Sequence, residues 1–234
     1  MVETGGVPLV LTGRKVLVVD DVRFTRTTLV KILRQIGDPT VFEAADGEAA
    51  LAALEGEAAG TELIITDLTM PKLDGLGLLK EIRAGHGAIP RDLVVIMLTG
   101  HSGLDPIGSA LLLDVDAFLA KPTSRQALEK CLEQTFRAPH RHGAIGDPER
   151  YRAVELSSMG ADAEVVPESP GPRQDEPVAL AALPVDSVLS RDLLFSNGRL
   201  LLRARTRLNA RLVERLRELA PLAGLPDTIY IFSS

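Results

Sequence analysis

The sequence predicts an α/β fold, a doubly wound five-stranded parallel sheet, followed by a small α+β module. Three observations carry this expectation. Over residues 13–136, short apolar runs alternate with segments whose apolar residues recur at helical spacing, the pattern of parallel strands joined by crossover helices. From about residue 137 the alternation stops in a stretch holding Pro139, Pro148, Pro167, Pro170, Pro172 and Pro177. After residue 180 an apolar pattern returns around Asn197-Gly198, the strongest short signal for a hairpin turn. The expected divisions are therefore 13–136, a flexible linker at 137–180 and a module at 181–234.

Each element has its own justification. Lys15–Asp20 (KVLVVD) is a continuous apolar run ending in acids, as a strand buried on both faces would be. Residues 23–36 place Leu29, Val30, Leu33 and Ile36 on one helical face. Thr40–Ala44 reads as a short strand and Gly47–Leu54 as an Ala- and Glu-rich helix. Glu62–Thr66, Leu93–Leu98 and Asp116–Leu119 supply three more strands, with helices at 75–84 and 106–113 between them and at 124–136 after the last. In the module, Ser187–Phe195 and Arg199–Arg203 flank the hairpin turn. Asn209 is placed to cap a helix through Ala220 with Leu212, Leu216 and Leu219 on one face, and Thr228–Phe232 follows as a strand. A module of about 50 residues is marginal alone, so it is expected to dock or self-associate.

Composition narrows the function. Hydrophobic residues make up 45% and charged residues 25% of the 234, an ordinary globular balance that excludes a wholly disordered or fibrous chain. Trp is absent and aromatics are 3%, which argues against a stacking platform for single-stranded nucleic acid. Residues 1–135 carry 13 basic and 19 acidic side chains, so the body is no DNA-binding surface; residues 180–234 carry 8 and 5, all eight basic ones Arg. A lone Cys131 excludes an internal disulfide, and the four His lack metal-ligand spacing. No run approaches the length of a membrane helix, and a cytoplasmic protein is expected.

In an open parallel sheet the working groups collect at the carboxyl ends of the strands. Here those ends bear Asp20 and Asp21, then Asp67, Thr99 and, two residues past the fifth strand, Lys121. Three carboxylates so close repel one another and need a cation. Mg²⁺, a hard ion that keeps waters and accepts phosphate oxygens, suits the set. Lys121 adds a mobile positive charge and Thr99 a hydroxyl donor for an arriving anion. A carboxylate held beside such charges can attack phosphorus, a reaction that needs positioning and charge neutralisation above all.

The segments KVLVVDD (Lys15–Asp21), IITDLTMPKLDG (Ile64–Gly75), VIMLTG (Val95–Gly100) and AFLAKP (Ala117–Pro122) resemble the signature set of bacterial response-regulator receiver domains. The resemblance covers residues 13–136 and implies a flavodoxin-like sheet of order 2-1-3-4-5. It implies that Asp67 is the phosphoacceptor and that Asp21, Asp67 and the Thr69 backbone carbonyl bind Mg²⁺ directly, with Asp20 acting through water. Thr99 and Lys121 would contact the phosphoryl group, and Phe118 stands where the family keeps its switch aromatic. A cis Lys121–Pro122 peptide is implied as well. The implied partners are a sensor histidine kinase or histidine phosphotransfer protein and a downstream protein; the face of residues 104–136 is expected to make the activated contact, either with a second copy or as a dock for the tail module.

Plainer readings apply elsewhere. Asp46, Asp74, Asp105 and Asp116 fall at helix starts or turns and are expected as caps. His101 is expected on the pocket rim and Cys131 in the core. Arg203, Arg205 and Arg207 alternate as on one solvated strand face.

The resulting expectation is a phosphorylation-driven switch rather than a turnover enzyme, signalling by protein–protein contact. Nucleic-acid or cyclic-dinucleotide binding by the Arg-rich tail is the alternative. A haloacid-dehalogenase-like phosphatase also uses a nucleophilic Asp, but that family needs a second acid two residues on, where this chain has Thr69. The segment from Pro184 resembles the small β-rich segment found ahead of HD-GYP domains, with Arg203 and Arg205 where that pattern prefers Pro and Gly.

Overall fold

The computed structural model describes residues 11–100, 107–137, 145–154, 156, 175–195, 198, 200–223 and 225–233. The chain divides into two compact units, Met1–Ser102 with Val115–Ile145, and Gly103–Asp114 with Gly146–Ser234.

In the first unit, β1 (Lys15–Val19), β2 (Thr40–Ala44), β3 (Leu63–Asp67), β4 (Val94–Thr99) and β5 (Ala117–Ala120) form one sheet in the order β2-β1-β3-β4-β5. All neighbours are parallel, with Val16 opposite Leu63, Ile65 opposite Ile96 and Met97 opposite Phe118. This is the sheet order expected from the sequence. The central strands are apolar at nearly every position because both faces are covered. Val16, Val18, Leu63, Ile65, Val94, Ile96 and Leu98 pack with Leu29 and Leu33 of α1 (Arg23–Ile36) and Leu128 and Leu132 of α5 (Arg125–Arg137). Cys131 belongs to the same core. The helices α2 (Gly47–Glu55) and α3 (Gly75–Ala84) pack on each other, and α2 on β1 and β2.

Asp46 caps α2 by accepting from the Ala49 N–H at 2.8 Å, and Asp74 caps α3 by accepting from Gly77 at 2.7 Å. Asp116, expected as a third cap, does something else. It lies just before β5, where its carboxylate accepts from the Val95 N–H at 2.9 Å and from Arg83 Nη2 at 2.8 Å. Arg83 also donates to the carbonyls of Arg91 and Leu93, so a buried guanidinium stitches α3 to the start of β4 and β5. Asp105 and His101 lie outside the described residues.

The second unit holds α4 (Ile107–Leu112), α6 (Pro148–Arg152), α7 (Ala210–Ala223) and three antiparallel strand pairs. These are β6 (Asp175–Ala179) with β11 (Thr228–Phe232), β7 (Ser187–Val188) with β10 (Arg207–Leu208), and β8 (Leu193–Leu194) with β9 (Leu200–Leu202). Asn209 Oδ1 accepts from the Leu212 N–H at 2.8 Å, the cap expected for α7. The β8–β9 hairpin surrounds the expected turn, of which Gly198 has φ +80° and donates to the Phe195 carbonyl; Ser196 and Asn197 lie outside the described residues.

Three expectations need revision here. The 137–180 span is not uniformly irregular: Asp147 caps α6, Tyr151 is wholly buried, and β6 pairs along its length with β11. Ser187–Phe195 is no single strand, because the chain turns between β7 and β8 to pair with two different partners. The Arg stripe breaks for a related reason. Arg205 adopts φ +69° and donates its N–H to the Leu189 carbonyl, so Arg203 stands past the end of β9 and Arg207 begins β10.

Every residue of α4 is buried, and the helix packs on β9 and α7. A Cβ at Gly108 would lie 2.2 Å from the Leu201 carbonyl oxygen, so only glycine permits the approach. Just beyond the helix, Asp114 accepts from the Tyr151 hydroxyl at 2.6 Å, which in turn accepts from the Gly146 N–H at 2.7 Å. Burial and the neighbouring Asp114 carboxylate push the Tyr151 hydroxyl up to about 12. Of the two occupants expected for this face, a second copy or the tail module, it is the module that covers the α4 part, through β9 and α7.

Candidate functional site

Asp20 and Asp21 follow β1, Asp67 ends β3, Thr99 ends β4 and Lys121 follows β5, so adjacent parallel strands bring their carboxyl ends to one rim. Asp20, Asp21 and Asp67 each offer a carboxylate oxygen within 4.8 Å of the others. Lys121 Nζ stands 2.8 Å from Asp20 Oδ2 and 2.8 Å from Asp67 Oδ2. Burial alone would lower the Lys121 ammonium, but its hydrogen bonds to the two carboxylates outweigh that and hold it above the usual lysine range. The Lys121–Pro122 peptide is cis, as the resemblance implied, and the Lys121 N–H donates to the Thr99 carbonyl at 2.8 Å, tying the ends of β4 and β5 together.

The three carboxylates differ in exposure. Asp20 is fully buried, and its other oxygen accepts from the Val22 N–H at 2.8 Å. Asp21 faces solvent, while Asp67 is intermediate and accepts from the Leu68 N–H at 2.8 Å. A dense set of hard oxygen ligands, one open to water and two already compensated by an ammonium, fits Mg²⁺. Thr69 is exposed beside Asp67, and Phe118 is half-buried on β5. Asp20, Asp21, Asp67, Thr69, Thr99 and Lys121 therefore belong to the strand-end rim or to the segments that leave it, while Phe118 lies within β5 opposite Met97.

Two basic residues that the sequence reading passed over steady this rim. Arg26, in the first turn of α1, donates to the Asp20 carbonyl at 2.6 Å and pairs with Glu43 at 3.3 Å, bracing the acidic turn. Lys72, after Asp67, reaches Asp46 at 2.6 Å. That hydrogen bond, with the Ala49 N–H, holds the Asp46 carboxyl below the usual carboxylate range, and Asp46 holds the Lys72 ammonium above the usual lysine one. Glycines close the same loop: Gly75 donates to the Leu68 carbonyl at 3.1 Å, and a Cβ there would lie 2.2 Å from the Asp67 carbonyl oxygen.

Residues 16–133 match the family of response regulator receiver domains. The chain is 34% identical over 119 residues to the chemotaxis protein CheY1 of Helicobacter pylori, covering 51% of this chain and 94% of that one. It is 32% identical over 122 residues to the chemotaxis protein CheY of Pseudomonas aeruginosa, covering 52% and 95%. Among solved structures, the chemotaxis response regulator CheY4 of Vibrio cholerae is 28% identical with a TM-score of 0.47, over 53% of this chain and 98% of that one. With its sheet order, its acidic cluster and the family match over half its length, the chain belongs to the response regulator receiver family.

Proposed function

We propose that this chain is a phosphorylation-driven switch of two-component signalling that takes a phosphoryl group onto Asp67 from a histidine kinase or a histidine phosphotransfer protein. The observation that carries the reading is the pairing of Lys121 with both Asp20 and Asp67 at 2.8 Å. A carboxylate fixed at a strand end by the Leu68 N–H presents its second oxygen toward a donor, while the ammonium beside it neutralises charge arriving on the phosphoryl oxygens. Asp21, Asp67 and the Thr69 carbonyl would hold Mg²⁺, with Asp20 acting through water, and the ion would add charge neutralisation at the same oxygens.

Thr99 and Phe118 form the read-out pair in this proposal. The hydroxyl at the end of β4 would donate to a phosphoryl oxygen, and the half-buried ring on β5 would follow it inward, coupling a charge-assisted hydrogen bond to apolar burial. The output is a protein–protein contact. No helix among the described residues is long and apolar enough to cross a membrane.

Acetyl phosphate with Mg²⁺ should label the full chain with acid-labile, base-labile phosphate. Asp67→Asn should take up none, and Asp74→Asn, where Asn preserves the cap of α3, should label normally. Undiminished labelling of Asp67→Asn, or labelling that persists after chelation, would overturn the proposal.

A further inference from the structure

We propose that Lys72 is a positioning residue for the loop that leaves the phosphoacceptor, acting through Asp46 to hold the segment that carries the Thr69 carbonyl. The inference rests on the reading of Asp67 and Mg²⁺ given above. Its structural base is the way residues 68–74 are fastened.

One end of the loop is fixed at Gly75, whose N–H reaches the Leu68 carbonyl and whose missing side chain lets α3 begin directly against the Asp67 backbone. The other fastening is on α2. Leu73 offers its carbonyl to the Gly47 N–H at 2.8 Å, and a Cβ at Gly47 would lie 2.6 Å from that oxygen. Next to it, Lys72 Nζ stands 2.6 Å from Asp46 Oδ2. Asp46 is a firm anchor: it is buried, and its other oxygen is committed to the Ala49 N–H.

Lys72 itself adopts φ +59°, in the left-handed region that residues other than glycine seldom occupy. A backbone in that state persists only when its surroundings impose it. The ion pair to Asp46 and the Leu73–Gly47 hydrogen bond are the contacts that impose it here. Thr69 lies between the two fastenings, so the direction of its carbonyl depends on both. Lys72 is itself more than half exposed and stands outside the Asp20, Asp21, Asp67 and Lys121 cluster, so its influence on the site passes through the loop.

The test uses the full chain, with Mg²⁺ alone titrated by calorimetry and amide hydrogen exchange followed without metal. Lys72→Ala should weaken Mg²⁺ binding roughly tenfold, the scale of losing an outer support of a metal ligand. Asp46→Asn, which keeps the cap of α2 but removes the charge, should weaken it alike, and the double variant no further. Lys72→Arg should restore both the affinity and slow exchange across 68–74, which a general loss of stability would not allow. Wild-type affinity in Lys72→Ala, or fully additive losses in the double variant, would overturn the proposal. If the wild-type chain bound no Mg²⁺, the reading of the site would fall; exchange across 68–74 unchanged by Lys72→Ala would then overturn the positioning role independently.

Discussion

Arg83 Nη2 meets Asp116 Oδ2 at 2.8 Å with the two side chains 0% and 3% exposed, an ion pair wholly inside the first unit. It lies at the start of β4 and β5, the end of the sheet opposite the acidic rim. Its part is therefore to hold strands in register, away from the chemistry. The guanidinium satisfies the Arg91 and Leu93 carbonyls as well, so the acid balances a charge that has other duties.

Asp116→Ala should accordingly lower stability by about 3–5 kcal/mol, the cost of stranding a buried charge. Asp116→Asn, which keeps an acceptor for the Val95 N–H, should cost less. Urea unfolding followed by circular dichroism checks this, and equal losses in the two variants would refute the ordering.

Lys121 holds Asp20 and Asp67, two of the carboxylates that a divalent ion would use. Removing the ammonium with Lys121→Met leaves Asp20 and Asp67 facing each other with their repulsion uncompensated. Added Mg²⁺ should then raise the thermal midpoint more in the variant than in the wild type, since tighter binding to the folded state stabilises it further. Equal shifts in differential scanning calorimetry would show that the ammonium does not screen the pair.

Tyr151 gives the second unit an alkaline weakness. An unfolded tyrosine loses its proton near 10, whereas the buried hydroxyl on Asp114 keeps it to about 12. The raised value means that the stability it contributes is present below pH 10 and is lost as pH rises from 10 through 12. Tyr151→Phe should be less stable at pH 7, by about 1.5–3 kcal/mol for a hydrogen bond to a charged acceptor, yet decline less steeply over that window. Parallel decline of the two proteins would sink the assignment.

Much of this was legible in the chain because it is local. A continuous apolar run marks β1, helical spacing marks α1 and the apolar stretch after Pro226 marks β11, each to within a residue, and strand-end acids are visible wherever strands are. The four site segments each carry their own chemistry in a few consecutive residues. What escaped depends on pairs far apart in sequence. Arg83 and Asp116 are 33 residues apart, Lys72 and Asp46 26, and no periodicity relates them. Asp116 looked like a cap because a lone acid before an apolar run carries the same local signal either way. The module misled for a related reason: an apolar stretch such as Ser187–Phe195 gives no sign that its two halves pair with different strands.

The helix α4 bears on how such a chain can be inherited. It is encoded between β4 and β5, yet its apolar surface is covered by β9 and α7 from the far end of the sequence. A recombination that joined residues 1–136 to some other segment would carry this helix without its cover, and one that transferred residues 146–234 alone would leave an empty seat against Leu201. Residues 107–112 and the segments that cover them are bound to change together, and substitution at Gly108 must answer to the backbone at Leu201.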